Sequence, residues 1–102
     1  MAMLHTVNKS PFEKNTLESC VRLAKQGSSI LLIEDGVLAA MKNTKHSKIV
    51  ADAMSDISFY VLGPDLKARG LSEDNVADGI KIVDYSGFVD LTTEHKSVQS
   101  WL

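Results

Sequence analysis

The chain has one cysteine, two prolines and one tryptophan in 102 residues. The lone thiol, Cys20, has no partner for an intramolecular disulfide and cannot supply a Cys-rich zinc site. A reducing compartment is the expected setting. An excess of one charge is also missing, since eleven Lys and Arg against thirteen Asp and Glu leave a net charge of −2. Duplex nucleic-acid binders carry a clustered basic face. Here the basic residues are scattered, so direct contact with nucleic acid is not expected. Long apolar runs are absent as well. Runs such as Ile30-Leu31-Leu32-Ile33 fall far short of the ~20 residues a membrane-spanning helix needs. Met1-Ala2-Met3-Leu4-His5 has no basic region leading into an apolar stretch, so no secretion signal is read and a cytoplasmic location is expected.

What remains has the composition of an ordinary globular protein, 44% hydrophobic and 24% charged. No repeat or Gly/Ser linker divides it, so residues 1–102 read as a single domain. Short apolar runs alternate with helical stretches. Leu4–Val7, Ile30–Ile33, Ser58–Leu62 and Ile80–Val83 read as strands. The unbroken run Ser29 to Ile33 suits a strand buried on both faces, as in parallel sheets. From Glu13 to Gln26, Leu17, Cys20, Val21 and Ala24 recur at i, i+3, i+4 and i+7, which predicts a helix with one buried stripe. Asn15 or Ser10 is positioned to cap its start and Gly27 to stop it. Shorter helices are expected at Val37–Met41, Ile49–Met54 and Asp65–Arg69, with a weaker one from Ser86 to about His95. Trp101-Leu102 ends the tail without an assigned element. The sum is a three-layer α/β/α sandwich on a mostly parallel sheet of four or five strands.

Open sheets of this kind collect chemistry at the carboxyl ends of their strands. Those ends are Asn8-Lys9-Ser10, Glu34-Asp35-Gly36, Gly63-Pro64-Asp65 and Asp84-Tyr85. Neither a dinucleotide fingerprint nor a P-loop follows the first strand, so no cofactor is expected. His5, His46 and His95 lack metal-site spacing, so no metal is expected, and His5 reads as a hydrogen-bonded interior or interface group. Glu34 and Asp35 stand where active-site carboxylates often lie, but Asp35-Gly36 is equally turn chemistry and no nucleophile accompanies it. Lys42, Lys45 and Lys48 around His46 read as a solvated loop, or as a docking surface for an acidic partner. By its place on the apolar stripe, Cys20 reads as a packed core thiol with a raised pKa.

Four segments carry a further signal. They are Leu4 to Phe12, Leu31 to Val37 with Ala39-Ala40, Val61 to Leu71, and Ile82-Val83-Asp84-Tyr85 onward to Trp101. In this order and spacing the chain resembles the DsrH/TusB family of sulfur-relay proteins, most of all its DsrH side. The resemblance implies assembly with DsrE-like and DsrF-like sister subunits as a 2:2:2 heterohexamer. It also implies a small acceptor protein with a mobile C-terminal cysteine. In one branch such complexes serve cytoplasmic sulfur oxidation. In the other they support 2-thiolation of wobble uridine in tRNA. The established sulfur-carrying cysteine lies in a sister subunit and has no counterpart here. Members on the tRNA side commonly lack a cysteine in the first helix. Cys20 therefore points to the oxidation branch and becomes a candidate persulfide carrier, against the burial argument. A purely structural subunit without its own thiol chemistry is the alternative, and an isolated small-molecule-binding module is a third reading. No independent catalytic activity is expected. Leu38, Met41, Phe88 and Trp101 join no evident stripe and are expected at interfaces.

Overall fold

A computed structural model describes residues 3–101; Met1-Ala2 and Leu102, which enter the leader and tail readings, lie outside the described residues. Five strands form one sheet: β1 (Met3–Val7), β2 (Ser29–Leu32), β3 (Ser58–Leu62), β4 (Lys81–Val83) and β5 (Ser97–Trp101). Their order is β4-β3-β2-β1-β5, and every pairing is parallel. The α/β class and the interior place of β2 are as the apolar runs predict. All four residues of β2 are buried, which is why the run has no polar alternation.

Two apolar layers cover the sheet. On one face Val7, Ile30, Leu32, Phe59 and Val61 meet α1 (Thr16–Leu23), α2 (Ser47–Ala53), α3 (Gly63–Ala68) and a 3₁₀ helix, Glu34–Ala40. The other face is thinner. There Leu4 and Leu31 meet Leu91 of α4 (Tyr85–Glu94), with Tyr60, Val83 and Phe88 partly buried beside them. Chain order explains the difference. β1 to β4 are laid down successively in one direction, and β5 returns to the far side of β1. The β4-to-β5 link must therefore cross roughly 19 Å of sheet at ~4.8 Å per strand. α4 lies in that link and is about 15 Å long at ~1.5 Å per residue. It is the one long helix on that face among the described residues.

Several boundaries differ from the sequence expectation. α1 begins later, because the Ser10 carbonyl accepts from Glu13 and Lys14 in a turn and the Ser10 hydroxyl accepts from the Phe12 amide. Asn15 occupies the N-cap position without a side-chain cap bond. α1 ends at Leu23 because Ala24 turns extended, so Gly27 (φ +88°) belongs to the following turn. α3 closes as expected at Gly70 (φ +68°), with the Gly70 amide donating to Lys67 and the Leu71 amide to Leu66 in a Schellman arrangement. The tail is strand β5, paired from Met3↔Ser97 to Val7↔Trp101. Three of the residues without an evident stripe find apolar neighbours within the chain. Met41 is buried, while Phe88 and Trp101 pack against the two apolar clusters.

Gly36 sets how closely the 3₁₀ helix approaches β1. A Cβ there would overlap the backbone carbonyl of Val7, which no side-chain rotation relieves. Gly36→Ala should destabilise by about 2–3 kcal/mol in urea unfolding, the upper range for forced overpacking. Gly70→Ala should lose about 1 kcal/mol, from its left-handed backbone alone. Wild-type stability in Gly36→Ala would mean this contact does not set the packing.

Candidate functional site

Cys20 lies on the inner side of α1 beside Leu17, with no exposed surface. Burial pushes its thiol up to about 12. At neutral pH the thiolate fraction is then on the order of one in 10⁴–10⁵. The charges near it in sequence do not offset this. Arg22 pairs with Glu18 on the outer side of the helix at 3.8 Å, with both side chains largely in solvent. In this conformation the sulfur is neither reachable nor ionised, and both are needed for thiol exchange.

The carboxyl ends of the strands come together as anticipated, but as a brace. Asp65 Oδ2 accepts from the Glu34 amide at 2.7 Å, holding Glu34 at a positive φ of 51°. The Arg69 guanidinium donates to Asp35 at 3.0 Å. These contacts tie the 3₁₀ helix to α3 and place no nucleophile between the carboxylates. Further along, a cavity of about 710 Å³ opens at the ends of β3 and β4, with Lys67, Glu73 and Asp84 on its wall. Asp84 is already committed, since its Oδ1 caps α4 by accepting from the Gly87 amide at 2.8 Å. Among the described residues no group of three or more His, Cys, Asp or Glu could hold a metal ion. Among the described residues no helix is long and apolar enough to cross a membrane.

The histidines have separate structural tasks. His95 Nδ1 donates to the Leu91 carbonyl at 2.7 Å and its Nε2 accepts from the Ser29 hydroxyl at 2.9 Å, pinning the end of α4 to β2. A carbonyl only accepts, which assigns the proton to Nδ1. His46 meets the exposed Phe12 ring edge-on at 4.9 Å, beside Lys45, in the polar loop. His5 is 5% exposed, and its Nδ1 accepts from the Trp101 indole N–H at 3.0 Å. This bond joins residues 96 apart in sequence. Nothing local in the tail announces it; the period-2 spacing of Gln99 and Trp101 is the faint signal.

The family described as "DsrH like protein" matches residues 9–98. The chain belongs to the DsrH-like family. It is 38% identical to Protein TusB of Serratia proteamaculans over 97% of this chain and all of that protein. Against Protein TusB of Escherichia coli K12 it is 36% identical with the same coverage. This DsrH-like chain also superposes on the ychN protein of E. coli at TM-score 0.82, with 15% identity over 98% of both chains. A protein of unknown function from Methanobacterium thermoautotrophicum gives TM-score 0.73 at 19% identity, over 95% of this chain and 96% of that one. At those identities the superpositions speak for the fold alone. Membership makes the chain one of the DsrH/TusB family of sulfur-relay proteins, as the four segments indicated.

The His5–Trp101 bond has a pH consequence. Burial lowers the His5 pKa below its ordinary 6.5, so the folded state prefers the neutral ring. A depressed folded value gives stability that is complete above 6.5 and is lost as pH falls through the folded pKa. The thermal midpoint should therefore drop between pH 7.5 and 5, and drop less in His5→Gln. The single indole N–H resonance should move upfield over the same range. An indole signal independent of pH would contradict the bond.

Proposed function

We propose that this DsrH-like chain is a subunit of a sulfur-relay complex that passes persulfide sulfur between proteins in cytoplasmic sulfur oxidation. The observation that carries the reading is family membership along nearly the whole chain. The surface supports the assembly part. Tyr85 and Val89, 61% and 60% exposed, stand one turn apart on α4, over the thinner apolar layer. A pair of bare apolar side chains on the thin side of a sheet is the kind of surface a partner covers. The partners of this reading are DsrE-like and DsrF-like sisters in a 2:2:2 heterohexamer, with a small acceptor bearing a mobile C-terminal cysteine.

Cys20 enters the reading in one of two ways. As a carrier, its thiolate attacks the outer sulfur of a donor persulfide, the donor's S–S bond breaks, and the donor leaves as a thiolate. That step requires α1 to lift, because the resting sulfur is fully buried. As a core thiol, it leaves carriage to a sister and stabilises the subunit. The buried, neutral state of Cys20 supports the second role.

The tRNA branch, 2-thiolation of wobble uridine, is the second reading. It is favoured by the 36–38% identity to proteins named TusB. Deleting the coding region should slow sulfide consumption and leave 2-thiouridine in tRNA unchanged; loss of 2-thiouridine would move the chain to the tRNA branch. From its native host the tagged chain should copurify with two homologous chains at equal stoichiometry, and Val89→Asp should weaken that recovery without altering the chain's own thermal midpoint. After incubation with a sulfur donor, a gain of about 32 Da on wild type that Cys20→Ser lacks would identify Cys20 as a carrier. A gain on the sister alone would assign it to the core.

A further inference from the structure

On the α1 face of the sheet, the described helices pack over β1, β2 and β3, while β5 stays exposed from Ser97 to Ser100. The register sets Met3 opposite Ser97 and His5 opposite Gln99, so these pairs share that face. Between them and the end of α1 opens a groove of about 650 Å³. This lies in the ~300–1,000 Å³ range of small-molecule sites. Neither the strand-end brace nor α4 takes part in it.

The chemistry of the lining is one-sided. The whole chain carries a net charge of −2, yet among the described residues the groove is lined by Lys25 and Lys96 and by no carboxylate. His5 adds a donor. Its Nδ1 is taken by the Trp101 indole N–H, so the neutral ring carries its proton on Nε2. The same bond uses the only polar atom of the indole, so Trp101 offers the groove carbon alone. At the rim, Leu23 is 65% exposed, a large apolar side chain left uncovered. Cationic donors beside a flat apolar wall match a ligand with one anionic end and one apolar end.

We propose that this groove binds a small carboxylate with a flat apolar body, its charge on Lys25 and Lys96 and its ring against Trp101 and Leu23. The site stands apart from the relay reading and does not depend on it. It also gives the His5–Trp101 bond a use beyond closing the sheet, because that bond fixes which face of each ring the ligand meets.

Trp101 is the only tryptophan in the chain, so its emission reports on this groove without labelling. The probe is benzoate, with neutral benzamide as the matched control, added to the full-length chain. Benzoate should shift Trp101 emission saturably, and benzamide should bind at least about tenfold more weakly. Lys25→Ala and Lys96→Ala should each weaken benzoate about fivefold, the upper range for a partly exposed ion pair. Both lysines are exposed, so the variants should keep the wild-type thermal midpoint. No saturable change up to about 10 mM benzoate would overturn the proposal. So would equal binding of benzamide, or an unchanged affinity in the double lysine variant.

Discussion

Ser29 to Leu32 are buried along the whole of β2, so this strand must be covered on both sides. A parallel strand buried on both faces is stable only between helical layers. Everything else in the fold answers that demand. α1, α2, α3 and the 3₁₀ helix make one cover, and α4, stretched along the return from β4 to β5, makes the other. Cys20 is inside because α1 must turn an apolar stripe toward Ile30 and Leu32. Its raised pKa follows from that packing and needs no special electrostatic feature.

The uneven covers also bear on assembly. The layer under α4 contains few fully buried side chains, and α4 keeps Tyr85 and Val89 in solvent. A sheet finished by one crossing helix has apolar area to spare on that side. On the proposal that the chain is a relay subunit, this surface is where a neighbouring subunit would sit. The strand-end region, where open sheets often place catalysis, is instead braced by Asp35, Asp65 and Arg69. Asp35 is held by Arg69 and the Asp65 carboxylate by the Glu34 amide, and among the described residues no activated nucleophile stands between them.

Much of this was legible in the residues. The run around Ile30–Ile33 announces the central strand, and Gly63-Pro64 the turn into α3. The i, i+3, i+4 stripe of Leu17, Cys20 and Val21 announces the buried side of α1, and therefore the burial of its thiol. The ends of α1 were not legible, because a periodic stripe says nothing of the Ser10 turn before it or the extended Ala24 after it. β5 was hidden for a different reason. Ser97-Val98-Gln99-Ser100 is an exposed edge with one neighbour, so it needs no apolar run. Trp101 looked like an interface residue because its partner, His5, lies at the other end of the chain. The pairing of Asp35 with Arg69 and of the Glu34 amide with Asp65 spans 34 and 31 positions, and the local pattern shows only a turn.

Cys20 is buried in the core, so opening of α1 should govern its reactivity. The deciding measurement is the rate at which a disulfide reagent labels Cys20 in the native chain, compared with the chain in denaturant. Native labelling should be at least about a thousandfold slower and should accelerate with mild denaturant as the helix opens. Rapid labelling of the native protein, insensitive to denaturant, would show an accessible thiolate and contradict that burial.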